Sequence, residues 1–191
     1  LHITNSISQN QLEDALDDKD EFIRAWAVQM LAEDNKVSNT ALAKFETMAE
    51  LDPSATVRLN WSAALQRIPI EKRWAIATKL ASKSEDADDH NIPKMLWFAL
   101  EKNTAADVEQ ALVIAKNTKM PKLAEYISRR TIDAGALDKL LLAVQQPSPN
   151  QIHLLRGLQS SLEGRTDIKA PSNWSEIYAQ LKKKEEFSQI A

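Results

Sequence analysis

Apolar residues recur at three- and four-residue spacing along almost all of the 191 residues, and strict alternation over more than four residues is scarcely found. That period stacks side chains on one face of an α-helix, whereas a half-buried strand needs a period of two. An all-α fold follows. The first segment runs from Ser8 to Asp17 with Leu12, Ala15 and Leu16; the second starts at Asp20, an expected N-cap, with a stripe of Ile23, Trp26, Ala27, Met30 and Leu31 up to Asp34. Thr40 to Leu51 carries Leu42, Phe45, Met48 and Ala49. Past Asp52-Pro53 come Val57, Trp61, Ala64, Leu65 and Ile68, which Pro69 stops. Ile70 to Ser84 follows, with Trp74, Ile76, Ala77, Leu80 and Ala81, and then Asn91 and Pro93 open a helix with Met95, Leu96, Ala99 and Leu100. Thr104 to Asn117, Pro121 to Ala134, Ala136 to Gln146, Ser148 to Glu163 and Trp174 to Ile190 complete about eleven helices, with Gly135 suited to a position just past a helix end.

Helices this long on connectors this short pack antiparallel to their sequence neighbours. Ile23-Arg24 and Val57-Arg58 are equivalent pairs 34 residues apart, each just inside a helix and preceded by an acid; Ile92-Pro93 falls 35 residues after Val57-Arg58, with weaker echoes at Pro121 and Ile152. A period in the 30s with two helices per unit marks a solenoid, in which no unit buries its apolar face alone. The run Asp52-Pro53-x-x-x-Val57-Arg58 resembles the HEAT type of repeat, and Asp20 with Ile23-Arg24 matches it in part. That resemblance implies a right-handed α-α superhelix in which Asp and Arg of neighbouring units form a polar ladder. The later units lack the Arg, so the ladder is expected to end by mid-chain. One solenoid domain over 1–191 is expected, with units at 8–34, 38–69, 70–101, 104–134 and 136–164 and a capping helix at 172–190.

Several runs are more distinctive than a generic repeat: Ile23-Arg24-Ala25-Trp26-Ala27-Val28, Asp52 to Leu59, Ala63-Ala64-Leu65-Gln66-Arg67-Ile68-Pro69, Arg73-Trp74, and Glu85-Asp86-Ala87-Asp88-Asp89-His90-Asn91-Ile92-Pro93-Lys94-Met95-Leu96-Trp97. Together they resemble the helical-repeat region of the large bacterial membrane-bound dehydrogenases also called PVC-type haem-binding proteins. In that family a sugar-dehydrogenase-like β-propeller precedes HEAT-type helices, and a cytochrome c domain with a CxxCH motif follows. The similarity covers roughly residues 15 to 130. It implies a connecting module of an exported, periplasmic redox protein. Without cysteine the chain cannot attach the family's haem, and without strands it cannot form the propeller. The start at Leu1, with no signal-peptide pattern, reads as an excised piece or a mature chain.

Composition removes most chemistry. Zero cysteines exclude disulfides, cysteine zinc sites, iron–sulfur clusters and a thiol nucleophile, though they fit an exported and a cytoplasmic location alike. Three glycines, about a quarter of average usage, leave little for phosphate-cradling loops. No apolar run approaches the roughly 20 residues that span a membrane. The densest acidic cluster is Glu85, Asp86, Asp88 and Asp89 beside His90. A calcium loop counted from Asp86 would need glycine at its sixth position and an acid at its twelfth, where Asn91 and Trp97 stand. Asp86 and Asp89 are therefore expected to orient the connector and cap the next helix. His2, His90 and His153 are too dispersed to suggest a metal triad, and no serine has a base or a G-x-S-x-G context.

Trp26, Trp61, Trp74 and Trp97 are assigned to packing between layers. Trp174, after Pro171-Ser172-Asn173, is expected to begin the capping helix. Lys182-Lys183-Lys184 is neutralised by Glu185-Glu186, and Arg129-Arg130 and Arg156 are isolated. The expected function is a non-catalytic scaffold without cofactor or metal. Its partners would be protein domains, and Asp20, Arg24, Asp52, Pro53, Arg58, Asp86, Asp89, Asn91, Pro93 and Trp97 would be its structural motif. The alternative is a nucleic-acid module related to the HEAT-like alkylpurine DNA glycosylases. A net charge of −3 and few basic residues on the second helices after Arg67 weigh against it.

Overall fold

The computed structural model describes residues 7–172 and 174–183; His2, Asn173 and the stretch from Lys184 through Phe187 to Ile190 lie outside the described residues. All-helical architecture is what the period demanded. The helices are α1 (Gln9–Ala15), α2 (Glu21–Glu33), α3 (Asn39–Leu51), α4 (Ala55–Ala64), α5 (Ile70–Ala81), α6 (Ile92–Ala106), α7 (Val108–Asn117), α8 (Pro121–Asp133), α9 (Leu137–Gln145), α10 (Gln151–Leu162) and α11 (Trp174–Lys182). Two 3₁₀ turns, Leu65–Arg67 and Ser84–Asp86, complete the set, and there is no strand among the described residues.

Local chemistry explains the helix ends. Ser8 forms a reciprocal capping box with Gln11, and Asp20, Ser38, Ser54 and Asp107 each accept a backbone N–H of the first turn that follows. After α8 the chain turns at Gly135 with φ +75°, the Gly135 N–H bonding Ile132 and the Ala136 N–H bonding Thr131. This paired closure needs a left-handed residue, which only glycine adopts cheaply. One boundary differs from expectation. Thr104 does not open the seventh helix: it is buried inside α6, and the side chain of Asp107 starts α7 three residues later by accepting the Gln110 N–H at 3.0 Å.

The chain packs as two compact units, Leu1–Leu100 and Glu101–Ala191, with α6 running through the boundary. In the first unit, α2 packs on α4 and α3 on α5, while α1 against α2 and α4 against α5 join the two rows. Phe45 and Trp61 meet edge to face in its interior, both fully buried. In the second unit α8 packs on α10, and α9 contacts α7 and α11. The same alternation of first and second helices holds in both.

The stripe expected on α2 is rotated in the structure. Ala25, Ala27, Val28, Leu31 and Ala32 are buried, whereas Ile23 and Trp26 are 44% and 57% exposed. Because α2 is apolar almost all round, period alone cannot choose its inner face. Small alanines let α2 approach its neighbours closely and leave the bulky side chains outside. Leu142, counted with the apolar run of α9, is likewise exposed, while Trp61 and Trp74 are buried as expected.

The α8–α10 contact depends on Gly157. A Cβ there would lie 2.5 Å from the Glu125 carbonyl oxygen and 2.6 Å from the Ser128 Cβ, and the backbone oxygen has no rotamer by which to move aside. Nearby, Ser128 Oγ donates to the Leu154 carbonyl at 2.7 Å. Gly157→Ala should therefore destabilise the protein by about 1–3 kcal/mol despite alanine's better helix propensity, read by urea unfolding. Trp61→Ala should cost about 3–5 kcal/mol, and Trp26→Ala less than about 0.5 kcal/mol in the same measurement.

Candidate functional site

Two arginines and two aspartates form the most organised polar structure in the first unit. Arg24, near the start of α2, donates from Nε to Asp52 Oδ2 at 2.7 Å and from Nη2 to Asp52 Oδ1 at 3.0 Å. Its remaining Nη1 turns back onto the carbonyls of Asp18 and Lys19 at 2.9 and 3.1 Å. One unit on, Arg58 of α4 repeats the arrangement. Nε and Nη2 clamp both carboxylate oxygens of Asp86, the Nη2 bond measuring 2.7 Å, and Nη1 donates to the Asp52 carbonyl at 3.1 Å. Both members of the Arg58–Asp86 pair keep only 3% side-chain exposure. The carboxylates hold both guanidinium groups more firmly protonated than usual.

The expected ladder is thus present, and its last arginine is Arg58, since position 92 is the buried Ile92. Asp20 is not a rung: it caps α2, accepting the Phe22 N–H at 2.8 Å. The residue equivalent to Asp52 and Asp86 is Asp18, at the same 34-residue interval. Asp18 takes the N–H of Asp20 as Asp52 takes that of Ser54, and each offers its carbonyl to the arginine six residues later. An aspartate at 18, 52 and 86 was visible in the sequence; reading from Asp20 hid the register. Two further turns carry buried polar residues at 32-residue steps. Thr118 caps its own turn through the Met120 N–H, and Asn150 Nδ2 donates to the Thr118 carbonyl at 2.6 Å. Both are 4% exposed.

The acidic connector is used in this framework. Asp86 is the second rung's acceptor, and Glu85 approaches Arg58 at 3.9 Å. Asp89 accepts the N–H groups of Asn91 and Ile92, both at 2.8 Å, at the entry to α6. Those two backbone bonds hold its carboxyl below the usual carboxylate range. Pro93 is buried in the first turn of α6, where its missing N–H is no loss, while Pro53 and Asn91 are exposed in their turns and Trp97 is half-buried on α6. Among the described residues no group of three or more histidine or acidic side chains is gathered in metal-binding geometry. His153 pairs with Glu125 at 3.0 Å between α10 and α8.

A third cation, Arg73 at the start of α5, is buried and was not singled out in the sequence beyond its place in a motif. It donates to the carbonyls of Ile68 and Ala99 at 2.7 Å and Gln66 at 3.0 Å. Burial lowers its pKa, and the nearby Glu71 carboxylate works against that lowering. A concavity of about 850 Å³ lies in the second unit between α9 and residues 165–172. Arg165, one of the cations that line it, is bound to Asp133 and Asp167 at 2.8 and 2.9 Å. No protein-family model, curated protein or solved structure matches the chain.

Two outcomes check this description. Asp86→Ala should cost about 3–5 kcal/mol, because it strands a buried guanidinium, whereas the double change Arg58→Met with Asp86→Leu should fall within about 1–2 kcal/mol of the parent. A double-mutant cycle by urea unfolding measures the coupling. Asp89→Ala should cost about 1 kcal/mol at pH 7. The Asp89 carboxyl titrates lower in the folded than in the unfolded chain, so its stabilisation is complete above the unfolded value near 4 and is lost as pH falls through the folded one. The gap between parent and variant should therefore shrink in melts taken below pH 4.

Proposed function

We propose that the chain is a non-catalytic helical-repeat scaffold of HEAT type, built to hold neighbouring protein domains at a fixed span. The observation that carries this reading is the repeated clamp, Arg24 onto Asp52 and Arg58 onto Asp86, which ties each second helix to the turn of the next unit. Bidentate pairs of this kind fix orientation as well as distance. Stacked units joined in this way resist bending, which is the property a spacer needs. In the wider form of the reading, the whole chain is one right-handed solenoid. It belongs between the propeller and the cytochrome domain of an exported redox protein, as its resemblance to the PVC-type haem-binding family implies, and the chemistry is done by those neighbours.

The same contacts weigh against the nucleic-acid alternative. The arginines that open α2 and α4 are engaged with carboxylates and Arg73 with carbonyls, so they are not available to phosphates. The 191-residue chain by itself should show no salt-dependent binding to duplex DNA at micromolar concentration and no stoichiometric metal by elemental analysis. It should also show no oxidation of sugars with an artificial electron acceptor. A positive result in any of these three assays overturns the scaffold reading.

A further inference from the structure

The ladder has an open first rung. Asp52 and Asp86 each receive a guanidinium from the second helix of the preceding unit, while the equivalent Asp18 is exposed, its carboxylate bonded among the described residues to its own turn's Asp20 N–H. Beside it, α2 presents Phe22, Ile23 and Trp26 to solvent at 60%, 44% and 57% exposure. Shifting by 34 residues gives the reason. Ile23 corresponds to Val57, which is fully buried on α4, and Trp26 and Met30 correspond to Asn60 and Ala64, which border Gln29 of α2 across a shallow groove. Val57 and Ala64 are thus buried on α4, whereas on α2 Ile23 is exposed and Met30 half-buried. Three large apolar side chains on two turns of one helix, next to an unclamped carboxylate, are unusual for a solvated face.

We infer that this edge of α1 and α2 is a docking face for a further helix pair of the same repeat type, whose second helix supplies an arginine to Asp18 and apolar side chains to Ile23 and Trp26. The inference rests on the scaffold reading and names its partner chemistry. Charge complementarity selects the occupant: a carboxylate already oriented by its Asx turn accepts a planar guanidinium in the geometry seen twice further along the chain. A peptide with apolar side chains alone would leave that carboxylate partly covered and unpaired. A second copy of the whole chain is the competing occupant.

The test uses the full chain and an extended chain in which Ser8–Val37 is duplicated ahead of Ser8, the duplicate carrying W26F so that Trp26 of the original frame can be read alone. Hydroxyl-radical footprinting should show several-fold protection of Trp26 in the extended chain relative to the parent. Asp18→Asn, which keeps the turn's acceptor but removes the charge, should leave the parent's melting temperature nearly unchanged and lower that of the extended chain by about 5 °C or more. Changing the duplicate's arginine to methionine should give the same fall and remove the effect of Asp18→Asn. Equal Trp26 reactivity in both chains, an Asp18→Asn effect no larger in the extended chain, or a duplicate that remains protease-sensitive while the parent segment resists would each overturn the inference. Concentration-dependent Trp26 protection in the parent chain would overturn it in favour of self-association. Turnover or bound metal in the parent would remove the scaffold reading while leaving these comparisons intact.

Discussion

The buried pair of Arg58 and Asp86 is the interaction on which the first unit's order depends. Each ion would be costly alone in that environment, and together they are tolerable because both carboxylate oxygens and all three guanidinium nitrogens are engaged. Hydrophobic burial drives the helices together without choosing a register, since a Leu or Ala stripe slides with little loss. The clamp chooses. Its arginine reaches forward to the next turn's carboxylate and back to its own turn's carbonyl, so three consecutive elements are set by one side chain.

In the second unit a different device does the equivalent work. Asn150 takes the place of the aspartate and reaches back to the Thr118 carbonyl, and Gly157 brings the α8 and α10 backbones close enough that Ser128 Oγ bonds the opposing helix. Neutral hydrogen bonds and a close crossing hold these helices, beside the partly buried Glu125 carboxylate. In the first unit the Asp89 carboxyl is held below its usual range by two backbone N–H groups, and at the α8–α10 crossing of the second Glu125 pairs with His153. There burial works to raise the Glu125 pKa, and bonds from Lys122 and His153 bring it below its usual value.

Much of this was legible along the chain. Helix number, most ends, the caps at Asp20 and Gly135, and the ladder's end after Arg58 follow from spacing and from the distinct chemistry of Asp, Ser, Pro and Gly. The inner face of α2 was not legible, because nine of its thirteen residues are apolar and the hydrophobic period marks one side only weakly. Nor was Asp18 distinguished from Asp20. Both are acids ahead of Arg24, and only the direction of the arginine's bonds separates the cap from the rung. Thr118 and Asn150 carried no signal by residue type, since a rung position is defined by what its neighbour offers.

What the sequence determined by itself is local: a helix forms where apolar residues return every three or four positions, and it stops where a side chain or a proline satisfies or removes the end groups. Those are interactions within a few residues, so they are written in the order of the chain. What only the tertiary structure decided is which of several chemically similar residues were buried and which partner each charged group met. Burial and pairing join residues some 26 to 32 positions apart, and their free energy depends on the water excluded when the helices close.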